Sequence, residues 1–502
     1  MKILAVTVIL VAAQACWGAS DTDPYLIPDS FIQRSSEGTV VLNESVLGMP
    51  LWPAGVPDKA IQWSQAEWIE NRAADRNALG LNRAVHYVDT PSLMVLKSNA
   101  GGARKPALVI FPGGAFERVV VDKEGIDVAR WFLRYGITCI VVKYRTSLQY
   151  TDPTIYPSIV ADAQRAVRMV RARAAEWSID PNKIGIMGFS AGGYLAHSLL
   201  FDQGPGLQGS YDAVGQVPFY PSFCALVYAA WIPHHPPADL SARTAPTFLA
   251  GCRDDSYVDV TNYQAIASGL TAWSVPAELL LFDTGGHGFG LGTSGGAVAA
   301  WPRAFLKWLS RTGVMSDPNG PVADVTSGKR FHSIQCSVDA AQPGDLIVVQ
   351  PGVYLEGLIL DKDLTLQSVD PNDPYYVGGT LLQGDSKTPV LTLSKNTAAC
   401  TLAGLTIRAG STGVAGTATQ GLFRNCRVMD NTSHGMELFE GSAPHLSSCL
   451  ITANGGAGIT MHEKAGRWIT PCKPVIEDCV IVRNGDPGLV GGQPVVSNSI
   501  VQ

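Results

Sequence analysis

No basic block interrupts this chain, no CxxC pair occurs in it, and beyond the first twenty residues no apolar run is long enough to cross a bilayer. Each absence removes a class of function. With 37 Lys and Arg against 43 Asp and Glu, and a formal charge of −6, nothing supplies the clustered counter-charge that a phosphate backbone demands, so no nucleic-acid partner is expected. Ten cysteines without short, regular spacing exclude a dense disulfide scaffold and a CxxC zinc site. They read as buried small hydrophobes, with Cys224 and Cys252 as the one disulfide candidate. No metal and no cofactor is implied.

What is present is ample apolar material. Of 502 residues, 46% are hydrophobic and 16% charged, which describes globular domains, and more than one of them. The opening MKILAVTVILVAAQACWGAS carries Lys2, an apolar stretch over 3–13 and then small residues. That is the layout of a signal peptide, too short to span a membrane. Cleavage after Gly18 or after Ser20 fits it, and acylation of Cys16 is the alternative. The expectation is a leader over 1–19 and a product exported to the periplasm, cell surface or medium, with no membrane contact after cleavage.

From 106 to 309 short apolar runs alternate with longer amphipathic ones. Strands are predicted at 107–111, 137–144, 183–189, 224–231, 246–251 and 277–282, and helices at 124–135 and 156–177. Continuous apolar strands separated by helices predict a mostly parallel sheet covered on both faces. After a linker predicted at 313–330, strands shorten and Gly and Asn punctuate them. In RNCRVMDNTSHGM, SSCLITANGGAGI and EDCVIVRNGDPGL, a cysteine (Cys426, Cys449, Cys479) is followed five residues on by Asn (Asn431, Asn454, Asn484) and four later by Gly (Gly435, Gly458, Gly488). Leu405 and Ser499 extend the cysteine column, with successive spacings of 21, 23, 30 and 20 residues. A repeat of that length predicts a solenoid. Its strand-rich coils make it a parallel β-helix over 331–502, with the cysteines stacked inward and the asparagines stacked at a turn. Each half is expected to bury its own core, the first spanning 20–312.

The run KIGIMGFSAGGYLAH (183–197) sets Ser190 between a strand and a helix. Small residues on both sides let the backbone turn sharply there, lifting the hydroxyl off the sheet edge while the Ala191 N–H points toward the same spot. A serine so placed suits attack on a carbonyl. The base and its orienting acid follow in the order Asp then His: Asp254 and Asp255 just past one strand, and His287 between Gly286 and Gly288 past the next. Backbone donors for an oxyanion come from FPGGAF, through Gly113, Gly114 and Ala115.

Together PGGAF, Lys123-Glu124-Gly125, Tyr144-Arg145, GFSAGG, Asp254-Asp255, GGHGFGL and the entry segment MPLWPAGVPD resemble the α/β-hydrolase group of bacterial acetylxylan esterases and related carbohydrate esterases, over 42–309. That resemblance implies a serine esterase acting on an acylated polysaccharide or oligosaccharide. It selects Asp255 as the acid, because Ser256-Tyr257-Val258 follows it. Two departures stand out. Ala115 replaces a usual glycine, which should narrow the oxyanion loop, and Asp259 replaces a common proline, which should leave the acid loop less rigid. The second half resembles right-handed β-helix proteins of the pectate-lyase-like group, with SIQCSVDAA as capping helix. That fold hosts enzymes as well as inert binding or spacer modules, and only scattered acids such as Asp430 and Asp478 are present, so binding or spacing is expected. Two other readings compete: a pectin-active β-helix enzyme with an accessory esterase, and a non-enzymatic surface carbohydrate-binding protein.

Overall fold

A computed structural model describes residues 49–502 except 59–60, 62, 73–76, 78–79, 98–103, 148–154, 202–211, 231–243, 396, 398 and 463–469, together with a strand pair at Ile32–Arg34 and Val40–Leu42. The leader expected over 1–19 and its cleavage points lie outside the described residues. Among those described, no helix is long and apolar enough to cross a membrane.

In the first half eight described strands form one sheet: β1 (Met49–Pro50), β2 (Ser92–Leu96), β3 (Lys105–Phe111), β4 (Thr138–Lys143), β5 (Ile179–Phe189), β6 (Cys224–Val227), β7 (Thr247–Cys252) and β8 (Ala277–Phe282). Their order is β8-β7-β6-β5-β3-β4-β2-β1. β3 to β8 run parallel to one another, while β2 lies antiparallel to both β4 and β1. The central strands β3, β4, β6 and β7 are buried along their whole length, which is why they read as unbroken apolar runs. Helices α1 (Asp127–Leu133), α2 (Tyr156–Ala172), α3 (Ala191–Phe201), α4 (Val260–Ala272) and α5 (Trp301–Arg311) cover the two faces. Register separates Cys224 from Cys252: Cys224 opposes Thr247, five residues before Cys252 on the neighbouring strand. Both thiols are free, so the disulfide considered above does not form.

The second half winds through three sheets of nine, seven and six described strands. Successive coils pair in parallel, as in Leu366↔Leu402↔Phe423↔Leu446↔Ile476↔Val496, and from Leu366 to Ile476 this column is buried. The two repeat columns stack as expected. Cys426, Cys449 and Cys479 are buried. Asn431 Nδ2 donates to Asn454 Oδ1 at 2.8 Å, and Asn454 Nδ2 to Asn484 Oδ1 at 2.9 Å. Each of these carboxamides also satisfies backbone groups at the turn, so the ladder answers polar groups that stacking would otherwise strand.

The junction departs from the expectation of a free linker over 313–330. Strands Val322–Asp324 and Lys329–Phe331 join the nine-stranded sheet, and Met315 and Val322 are buried. One face of the first half's sheet keeps a core of its own, from Leu51 to Leu270, but the core on the other face is not separate from that of the β-helix. One apolar cluster runs from Phe132, Phe305 and Trp308 through Met315 and Phe331 to Ile334, Val338, Leu358 and Leu360. The contact is made by α5 against α6 (Ile334–Ala340), the helix that caps the first coil. Buried Glu356 holds α6 in place, accepting from Ser333 Oγ at 2.6 Å, Ile334 N at 2.8 Å and Gln335 N at 3.0 Å. Across the contact Arg303 forms a two-pronged pair with Asp339, Lys307 reaches Asp361 at 2.6 Å, and Lys183 Nζ donates to the Ser316 carbonyl.

Asp339 is 1% exposed and its partner Arg303 21%, whereas Lys307 and Asp361 are more open to water. Removing one member of a buried pair strands the other charge, so Arg303→Ala should cost about 3 kcal/mol. Lys307→Ala should cost under about 1 kcal/mol. Urea titrations of the whole chain measure both. A cost under about 1 kcal/mol for Arg303→Ala as well would mean that the interface does not depend on the buried pair.

Candidate active site

β5 ends at Phe189 and α3 starts at Ala191, so Ser190 alone makes the turn. It does so at φ 51°, a left-handed conformation that costs a side-chain-bearing residue about 1–2 kcal/mol. The neighbours explain how the turn closes. A Cβ on Gly192 would lie 2.0 Å from the Phe111 carbonyl oxygen, one on Gly188 2.2 Å from that of Gly192, and one on Gly193 2.2 Å from Ala229 Cβ. The strand, turn and helix therefore fit only with hydrogen at these three positions.

Ser190 Oγ lies 2.8 Å from His287 Nε2, and His287 Nδ1 lies 2.8 Å from Asp255 Oδ2. The Asp255 side chain is 1% exposed and the imidazole 19%. An anionic acceptor at Nδ1 fixes the proton there, which leaves Nε2 free to accept from the serine. Asp255 Oδ1 is engaged as well, accepting from the backbone N–H groups of Tyr257 at 2.8 Å and Val258 at 3.1 Å. Asp254, its neighbour, binds backbone on the other side of the site, accepting from Gly286 N at 2.8 Å and Gly285 N at 3.2 Å. Those two N–H groups, Gly286 first, hold its carboxyl below the usual range. Thus Asp255 meets the imidazole, while Asp254 shapes the backbone that carries it.

The loop after β3 comes alongside. A Cβ on Gly113 would lie 2.8 Å from Ser190 Cβ. Gly114, Ala115 and Phe116 all take positive φ, at 129°, 56° and 60°. Two consecutive side-chain-bearing residues in that region are strained. The Phe116 ring offsets part of the cost, being fully buried against Tyr144, Tyr156 and Tyr194. Ala115 therefore adopts the shape a glycine would, at an energetic cost. The acid loop is likewise firm despite the missing proline, because Asp259 caps α4, accepting from Thr261 N at 2.9 Å.

Two stretches of the chain match known families. Residues 93–211 match the family model described as BD-FAE, and residues 377–501 match that described as right handed beta helix region. The chain joins an α/β-hydrolase domain, matched in part by the BD-FAE model, to a right-handed β-helix. An acetylxylan esterase of Xylanibacter ruminicola is 32% identical over 209 residues, covering 37% of this chain and 42% of its own length. The endo-1,4-beta-xylanase B of Butyrivibrio fibrisolvens is 26% identical over 230 residues, 41% of this chain and 36% of its own length. This chain therefore spans about two-fifths of the length of these curated relatives. Among solved structures, the acetyl ester-xyloside bifunctional hydrolase from Caldicellulosiruptor lactoaceticus is 28% identical, covers 53% of this chain and 96% of its own, and has a TM-score of 0.43.

One of the expected oxyanion donors is otherwise engaged. The Gly113 N–H of the hydrolase domain donates to Glu124 Oε2 at 2.7 Å, so it is removed from the set, and Gly114, Ala115 and Ala191 remain. Glu124 is a residue whose role the sequence did not disclose. It sits on a wide π-helical turn (Asp122–Ile126) anchored by the buried Arg83–Asp122 pair. Its Oε1 accepts from Tyr228 Oη at 3.0 Å, and Tyr228 Oη in turn accepts from Gly290 N at 3.0 Å. A single buried carboxyl thus ties the loop beside Ser190 to the loop carrying His287. Burial pushes its pKa up, against the opposing pull of the Gly113 and Tyr228 bonds.

Glutamine at 124 preserves shape but can accept at only one of the two ends, leaving a buried donor bare. Glu124→Gln should therefore lower stability by about 1–3 kcal/mol, read from urea midpoints. A neutral result would show that the carboxyl does not hold the two loops.

Proposed function

We propose that this chain is an exported serine esterase that removes acetyl or similar acyl groups from a plant-type polysaccharide. The observation that carries this reading is the unbroken line from Ser190 Oγ to His287 Nε2 and from Nδ1 to Asp255 Oδ2, each step 2.8 Å. His287 takes the serine proton as Oγ attacks the ester carbonyl, and Asp255 stabilises the imidazolium that results. The oxyanion forms beside the N–H groups of Gly114, Ala115 and Ala191, none of which has an intramolecular acceptor among the described residues. His287 returns the proton to the departing alcohol, and water then cleaves the acyl-serine by the same route. No step needs a metal or cofactor.

Support for the polysaccharide comes from the relatives, one named as an acetylxylan esterase and one as a xylanase. The leader-like opening supports export. The β-helix acts as an accessory module that binds carbohydrate or holds the hydrolase at a set distance from it. Every group assigned to the chemistry comes from the hydrolase domain.

Ser190→Ala should fold normally and reduce acetate release from acetylated xylan to background, a loss of about 10⁶ in turnover. Asp255→Asn should lose about 10⁴, as the serine-protease template does, and Asp254→Asn far less, since its carboxyl binds backbone and not the imidazole. Retained turnover in Ser190→Ala contradicts the reading, and a larger loss at 254 than at 255 reverses the acid assignment.

A further inference from the structure

The His287 imidazole has an aromatic ring on two sides, and only one of these rings has a structural role. Tyr228, with its centroid 5.1 Å away, is fully buried and spends its hydroxyl between Glu124 and Gly290. Tyr257 lies at the same 5.1 Å, inclined at 48°, yet it is 78% exposed. Its hydroxyl has no hydrogen bond among the described residues. An aromatic ring left in water contributes little to folding. The backbone nonetheless holds it firmly: the Tyr257 and Val258 N–H groups bind Asp255 Oδ1, the Val258 side chain is buried, and Asp259 caps α4. The carboxylate that orients the base thus also presents the ring.

We infer that Tyr257 is the platform on which the leaving sugar stacks. The inference rests on the esterase reading above. When the tetrahedral intermediate collapses, the bond between the carbonyl carbon and the sugar oxygen breaks. The electron pair leaves on that oxygen, and the proton on His287 Nε2 transfers to it. The sugar oxygen must then be within about 3 Å of Nε2. The sugar is therefore on the His287 side of the site and within reach of the Tyr257 ring, whereas the acyl group is beside the oxyanion donors. A pyranose offers a face of C–H groups, slightly positive and poorly hydrated, to the negative face of an aromatic ring. Because the backbone that carries the ring is already fixed, stacking orders only the side chain. Tyr257 is on this account a specificity residue for the alcohol half of the ester, selecting a glycosyl acetate over a small alkyl acetate.

The test compares kcat/KM for acetylated xylo-oligosaccharide with kcat/KM for ethyl acetate, whose leaving group is too small to cover the ring. Wild type, Tyr257→Ala and Tyr257→Trp are measured as full chains. The ratio of the two constants should fall about tenfold in Tyr257→Ala and recover in Tyr257→Trp, which restores an aromatic face without the hydroxyl. If alanine lowers both constants together and leaves the ratio as in wild type, the ring only braces the acid loop and the platform is overturned. If wild-type protein turns over neither ester, the esterase reading itself fails, and the platform with it.

Discussion

The left-handed turn at Ser190 is the constraint from which the rest of the site follows. It exists because β5 is pinned between β3 and β6 while α3 starts at once, so that one residue must reverse the chain. The glycines at 188, 192 and 193 let neighbouring segments meet where any Cβ would collide. The strain at Ser190 is a stored cost, and the surrounding sheet is what keeps it from relaxing. Once the serine is fixed there, the base must arrive from the end of β8 and its acid from the end of β7, because those strands open onto the same edge.

Two adjacent carboxylates with separate partners, and a third beneath them, turn three loops into one rigid unit. Asp255 meets the imidazole with one oxygen and its own loop with the other. Asp254 holds the glycines ahead of His287, and Glu124 ties that side, through Tyr228, to the Gly113 loop. Such preorganisation matters because donors fixed before reaction need no reorganisation during it. The β-helix extends the same principle to a larger scale. Its capping helix shares an apolar cluster with α5, so it is joined to the hydrolase through packed side chains and not through a flexible tether.

Much of this was legible in the sequence where the signal is local. The strand-turn-helix around Ser190, the later Asp and His in glycine-bearing loops, and the stacked Cys and Asn columns all follow from residues near one another in the chain. What escaped detection depends on distant partners. Gly113 looked like an oxyanion donor, but a carboxyl eleven residues on claims its N–H. The stretch over 313–330 reads as a linker because its Pro, Gly and Asp break periodicity, yet its short strands join the sheet through Leu346–Val349. The shared core was hidden because Phe305 and Trp308 satisfy a helical pattern whichever body they face. Asp259 looked like a loosened proline, whereas its side chain supplies the helix cap.

The proposed chemistry requires Ser190 to be a nucleophile activated by its setting. It is tested by treating the folded full-length protein with a fluorophosphonate, whose phosphorus is attacked by an activated serine hydroxyl with loss of fluoride to leave a stable phosphonate ester, and mapping the adduct by peptide mass spectrometry. One equivalent of label is expected, all of it on the peptide containing Ser190, and none after prior denaturation. Label distributed over other serines, or none on the native protein, would contradict it.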